Sequence, residues 1–350
     1  MRFEPGCLAT GIGSLPYLDP GKAVDSIIAN LQDIPFWPQL PRRGTMEGMI
    51  GQYSESLPGL KYDKPKDRYY FETKADLSGE LEQFYQNYLD HNYPFFSISE
   101  NNASGLYEIF RRFKKDKPSK IRYMKGHVTG PITFGLTAKD ETGRDIIYNE
   151  MIFDAIKKGL AMKGCWQLDK FKEFGHPMII FLDEPSLVSI GSGYSTLGRD
   201  EIIGTWNEVI ELLHQEGGIV GIHCCGNTDW SLLFDSMVDI ISFDAYGFLD
   251  KIFLYTAGLE GFLSRGGVLA WGIVPTSGTV NNLTAEGLVK RLDIAFGKLV
   301  SLGIDRDLLF SKSLITPSCG MGLSEIEESA RLLGLSSRVS SLLRDKNSVI

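Results

Sequence analysis

The chain has 350 residues, 43% of them hydrophobic, and a formal net charge of −8. Acids and bases are mixed throughout, so no basic stripe marks a nucleic-acid binder and no basic amphipathic helix marks a membrane surface. No apolar run reaches the roughly 20 residues that span a bilayer, the start MRFEPGCLATGIG lacks a signal-peptide pattern, and five dispersed cysteines do not make a disulfide framework. The expectation is a soluble, cytoplasmic protein with one large core.

Short β-rich runs alternate with longer helical patterns, the signature of a parallel sheet with crossover helices. In chain order the expected strands are Cys7–Ile12, Phe95–Ile98, Ile121–Gly126, Met178–Leu182, Ile219–His223, Ile240–Phe243, Val268–Ile273 and Lys312–Ile315. Eight is the number that a closed parallel barrel requires. The expected fold is therefore α/β, a single (β/α)8 TIM barrel spanning residues 1–350. Asp19-Pro20 opens a helix with a capping side chain and a proline at the first helical position, and Ala23, Val24, Ile27, Ile28 and Leu31 follow at helical spacing. Ile147 to Phe174 and Ile202 to His214 are also helical in pattern, and Ser324-Glu325-Ile326-Glu327 reads as a capping box. One stretch, residues 34–75, breaks this rhythm. It reads as an insertion after the first strand, a hairpin and helix lying over one end of the barrel, with Trp37, Tyr53, Tyr69 and Tyr70 as its apolar underside. It is either a stabilising excursion or a cover for the active site.

In such a barrel the active site lies at the carboxyl ends of the strands. Gly13 and Ser14 follow the first strand, Glu100 the second, His127 the third, Asp183-Glu184 the fourth, His223-Cys224-Cys225 the fifth, Asp244 the sixth and Cys319 the eighth. His223 and Cys225, two apart on an extended segment, face the same way, and Cys319 returns to the same mouth. One imidazole and two thiolates suit zinc, and three protein ligands leave a position for substrate. Asp244 is either a fourth ligand or an acceptor that orients His223. Cys224 is expected to face away from Cys225 into the wall, with a swap of the two as the alternative. Asp183 and Glu184 are consecutive, so one faces the mouth while the other caps the next segment. Glu100 and Asp183 together suit an ammonium group, and Gly13-Ser14 can present N–H groups to a carboxylate.

These segments resemble the superfamily of cobalamin-independent methionine synthase and uroporphyrinogen decarboxylase, which includes corrinoid-dependent thiol methyltransferases. ATGIGSLP is similar to the opening of the methionine synthase catalytic barrel, FSISENNASGLYEIF to the segment whose glutamate binds the homocysteine ammonium, and HVTGPITF to a Thr-Gly-Pro strand end. FLDEPSL resembles the Asp-Glu-Pro segment, IHCCGNT the His-x-Cys zinc motif in its Cys-Gly-Asn form, and TPSCGMG the third ligand. The resemblance implies zinc on His223, Cys225 and Cys319, with Glu100 and Asp183 on the ammonium. Asp244 stands where methionine synthase has a glutamate ligand. Two departures bear on the methyl donor: the chain has no length for a second, folate-binding barrel, and WGIVPTSGTV carries no histidine after the seventh strand. Both favour a methyl-corrinoid presented by a separate corrinoid protein. The acceptor is homocysteine, giving methionine, or a sulfonated thiol such as coenzyme M. Two further readings are a tetrapyrrole decarboxylase and a non-catalytic corrinoid-associated protein.

Overall fold

The computed structural model describes residues 3–116, 118–190, 197–278 and 282–347. Its strands, in chain order, are β1 (Leu8–Ala9), β2 (Leu60–Asp63), β3 (Arg68–Phe71), β4 (Met124–Thr129), β5 (Met178–Asp183), β6 (Ile219–Cys224), β7 (Ile240–Phe243), β8 (Val268–Val274) and β9 (Ser313–Pro317). Seven of them form one parallel sheet in the order β1-β9-β8-β7-β6-β5-β4. Parallel neighbours need a crossover, and helices supply it at each step. The helices are α1 (Pro20–Asn30), α2 (Ser78–Leu89), α3 (Ser104–Lys115), α4 (Pro131–Thr137), α5 (Glu150–Lys172), α6 (Arg199–Gln215), α7 (Trp230–Asp235), α8 (Ala245–Ile252), α9 (Thr256–Ser264), α10 (Ala285–Ser301), α11 (Arg306–Ser311) and α12 (Ile326–Asn347). Asp19 caps α1 by accepting from the N–H groups of Gly21 and Lys22.

The expected second strand is absent. Tyr93–Phe96 is a 3₁₀ turn. Pro94 has no N–H to give a ladder, and Phe96 and Ile98 are fully buried, so their apolarity marks core and not strand. The third strand begins at Met124, three residues later than expected, which puts His127 inside it. Residues 34–39, the start of the expected insertion, instead hydrogen-bond to the edge strand β4 on one side and to the segment that follows β1 on the other. On one side Lys125 N–H donates to the Pro35 carbonyl at 3.0 Å and Trp37 N–H to the Lys125 carbonyl at 3.3 Å. On the other, Gln39 N–H donates to the Gly13 carbonyl at 3.1 Å and Leu15 N–H to the Gln39 carbonyl at 2.9 Å. Beyond them come 3₁₀ turns at Pro41–Arg43, Thr45–Glu47 and Gly51–Tyr53, then the antiparallel hairpin β2–β3. Trp37 and Tyr53 are fully buried, and the Tyr53 hydroxyl donates to the His127 carbonyl at 3.0 Å.

Side-chain alternation along the strands gives two apolar clusters. The larger lies between sheet and helices. The smaller joins Leu8, Ile179, Phe181, Ile240, Val268, Ala270 and Leu314 on the other face, together with Phe3 and Ile34. Phe181 lies where any side chain on Gly221 would stand, 2.4 Å from a Cβ there, so β6 needs a glycine at this point. Asp183 on β5, and His223 and Cys225 on and after β6, share the period-two phase of this inner face. No helix among the described residues is long and apolar enough to cross a membrane.

Candidate metal and thiol site

A cleft of about 720 Å³ opens at the carboxyl ends of the strands, and Ser14, Asp183, His223, Cys225, Asp244 and Cys319 are among the residues lining it. The ligand atoms of His223, Cys225 and Cys319 lie within 4.8 Å of one another. His223 is buried. Its Nδ1 is hydrogen-bonded to Ser242 Oγ at 3.0 Å, and its Nε2 has no hydrogen-bond partner among the described residues. In the tautomer with Nδ1–H donating to Ser242, the ring presents the Nε2 lone pair. The neighbouring Cys319 thiol, and after it the His223 imidazole, draw Cys225 down to about 4, while the nearness of Cys225 pushes Cys319 up. An orphaned imidazole nitrogen facing two thiols fits a tetrahedral zinc with one open position.

Cys224 faces the opposite way. It is fully buried, its Sγ reaches the Gly226 carbonyl at 3.5 Å, and burial pushes its thiol up to about 12. It is wall, as the alternation implies.

Asp183 and Glu184 diverge. Asp183 lines the cleft, and its buried Oδ1 has no hydrogen-bond partner among the described residues. Burial raises its carboxyl to about 6, against the pull of the Lys125 ammonium. Lys125 itself is fully buried, 4.2 Å from the centre of the Phe181 ring, with Nζ donating to the Ile12 carbonyl. Glu184 turns away and caps α4, accepting from the N–H groups of Ile132 at 3.1 Å and Thr133 at 2.7 Å and from Trp206 Nε1 at 2.9 Å.

The other expected residues are placed differently. Glu100 does not reach the cleft. Without a second strand to end there, it sits in an exposed turn before α3 and pairs with Arg111 at 2.6 Å. Asp244 lines the cleft but caps α8, accepting from Gly247 N–H at 2.7 Å, and burial raises its carboxyl. It stands outside the three-ligand group, and the hydrogen-bond partner of the His223 ring is Ser242 instead. Gly13 packs against the His127 ring, and Ser14 Oγ accepts from Gly322 N–H at 3.2 Å. His127 is buried with both ring nitrogens unpartnered, stacked on Trp37 at 3.8 Å between centroids, and burial holds its imidazole well below the usual range.

Sequence reasoning missed Ser242 and Lys125. Ser242 is the register partner of His223 on the neighbouring strand, so strand pairing identifies it once the alignment of β6 and β7 is known. A second cavity, of about 690 Å³, lies at the amino ends of the strands. Its polar groups serve the fold: Arg265 bonds the Ser236 carbonyl at 2.6 Å, and His214 pairs with Asp239 at 2.7 Å.

Comparison with models of known protein families and with curated proteins matches this chain to none of them.

Proposed function

We propose that this protein is a zinc-dependent methyltransferase that moves a methyl group from a methyl-corrinoid to a thiol, similar in fold and chemistry to the catalytic barrel of cobalamin-independent methionine synthase. The observation that carries the reading is the convergence of His223, Cys225 and Cys319 within 4.8 Å at one cleft. In this reading the sheet is a closed eight-stave barrel whose second stave is residues 34–39, supported by their hydrogen bonds to β4 on one side and to the segment that follows β1 on the other.

Zinc in this site would supply a thiol deprotonated at neutral pH yet still nucleophilic. The chain's own residues hold the acceptor. Among the described residues lining the cleft there are three acids, Asp183, Asp244 and Glu328, and no lysine or arginine. A sulfonated thiol such as coenzyme M would enter that field without a cation to meet it. An amino-thiol is favoured, and homocysteine, giving methionine, is the acceptor we assign. In this reading the orphaned Asp183 Oδ1 accepts from its ammonium.

The donor follows from the proton inventory. A folate amine is a poor leaving group unless protonated, whereas a reduced corrinoid departs without an acid. The described lining residues include no histidine besides His223, and His127 is buried against Trp37. A separate corrinoid protein in the cytoplasm is the donor's carrier in this reading. A tetrapyrrole decarboxylase would leave the imidazole and two thiols without a task.

The test supplies the zinc-loaded protein and methylcobalamin with homocysteine or coenzyme M, following thioether formation and the corrinoid absorbance change. Turnover with homocysteine well above that with coenzyme M is expected. Turnover with methyl-tetrahydrofolate in corrinoid-free conditions would contradict the donor assignment, and preference for coenzyme M would contradict the acceptor.

A further inference from the structure

Cys319 lies on a loop, yet a metal ligand must hold its sulfur to within a few tenths of an ångström. Before it, Ser318 N–H donates to the Val274 carbonyl at 2.8 Å, and Ser318 Oγ accepts from Thr276 N–H at 3.2 Å, which ties the loop to the segment after β8. After it, Arg42 holds the Leu323 and Ser324 carbonyls, and the turn nearest the cysteine is tied to Ser14. Met321 N–H donates to the Ser14 carbonyl at 2.8 Å and Gly322 N–H to Ser14 Oγ at 3.2 Å. The contact has no slack: a Cβ on Gly320 would lie 2.2 Å from Ser14 Oγ, and one on Gly322 would lie 3.2 Å from Ser14 Cβ and 2.6 Å from Pro41 Cγ. Ser14 is itself fixed, because its segment is bridged in parallel to Gln39.

We infer that Ser14 is a positioning residue for the metal, a strut that sets Cys319 through the Gly320–Gly322 turn. This rests on the zinc site proposed above. Ser14 Oγ spends an acceptor position on Gly322, and the two glycines are the residues that let the backbone close on it. Such outer partners of metal ligands commonly carry tenfold to hundredfold in affinity.

The experiment compares wild type, Ser14→Ala, Gly320→Ala and the double variant by chelator competition for zinc and by the thiolate-to-metal absorption of the cobalt-substituted protein. Ser14→Ala is expected to weaken zinc by about tenfold and to shift the cobalt spectrum, leaving KM for homocysteine at saturating zinc within about twofold of wild type. Gly320→Ala should do the same, because its methyl displaces Ser14 Oγ. The double variant should be no worse than the poorer single, since removing the hydroxyl frees the space that the methyl fills. Unchanged zinc affinity in Ser14→Ala together with a raised KM would overturn the inference and return Ser14 to substrate binding. Additive losses in the double variant would also contradict it. A wild type that takes up no zinc would sink the metal reading. The strut is then still read by hydrogen exchange at the Gly322 amide, which Ser14→Ala should accelerate by about tenfold or more, and unchanged exchange there would overturn the strut on its own.

Discussion

Ser242 on β7 holds the His223 imidazole of β6 from the side, with 3.0 Å between Ser242 Oγ and His223 Nδ1. The two residues are register partners on adjacent parallel strands, so the contact is built into the sheet and does not depend on a loop. Removing the hydroxyl frees the ring to rotate and to take the other tautomer. Ser242→Ala should weaken zinc binding by about tenfold while leaving the unfolding midpoint little changed. Titration with a competing chelator measures this, and wild-type affinity in the variant would show that Ser242 does not orient the ligand.

Asp183 offers the cleft a carboxylate oxygen with no hydrogen-bond partner among the described residues. A charged hydrogen bond is worth roughly 1.5–3 kcal/mol, so Asp183→Asn should weaken homocysteine binding by about tenfold to a hundredfold. A thiol of similar size without an amino group should lose little. Steady-state KM values for the two thiols at saturating zinc decide it, and equal losses would mean that Asp183 does not read the ammonium.

Glu100 makes the opposite case. Its carboxylate is paired with Arg111 on an exposed turn. Glu100→Gln should leave zinc affinity and the KM for homocysteine within about twofold of wild type, because a surface ion pair contributes roughly 0–1 kcal/mol. A tenfold rise in KM would restore it to the substrate site.

Lys163 on α5 is fully buried, and its Nζ has no hydrogen-bond partner among the described residues. Burial pushes its ammonium from 10.5 down to about 8. The folded pKa lies below the unfolded one, so the unfolded chain binds the extra proton between these values and stability rises with pH across that window. Below pH 8 the folded protein bears the whole cost of the buried charge, about 3 kcal/mol at 1.36 kcal/mol per unit. Lys163→Met should therefore stabilise the protein at pH 7 by an amount of that order, and the gain should fall to less than half near pH ~9.5. Urea unfolding at the two pH values checks this. A gain that does not change with pH, or a loss at pH 7, would contradict it.

Which residues were legible in the sequence follows from how local their signals are. The spacing of His223 and Cys225 is a property of one strand, and the divergence of Asp183 from Glu184 is a property of another. Period-two alternation reads both, and the return of Cys319 follows from strand-end logic. Glu100 misled because Phe95–Ile98 has the apolarity of a strand, while Pro94 turns it into a 3₁₀ segment with Phe96 and Ile98 in the core. Residues 34–39 were concealed for the converse reason. Pro35 and Pro38 remove two donors, so the stretch looks like a loop, yet the remaining N–H and carbonyl groups bond to β4 and to the segment that follows β1. Ser242 and Ser14 act across strand register and chain ends respectively, at sequence separations where no local pattern exists.

The most direct measurement is X-ray absorption at the zinc edge of the purified protein, before and after homocysteine is added. Stoichiometric zinc should be present with two sulfur neighbours at about 2.3 Å and nitrogen or oxygen at about 2.0 Å. Cys319→Ser should lose most of the metal while the far-UV spectrum stays the same, because a ligand at a loop end contributes little to the core. Homocysteine should then add one sulfur to the wild-type shell and release about one proton per site at neutral pH. A zinc-supplemented wild type without stoichiometric metal, or a shell that homocysteine leaves unchanged, would contradict a metal-activated thiol at His223, Cys225 and Cys319.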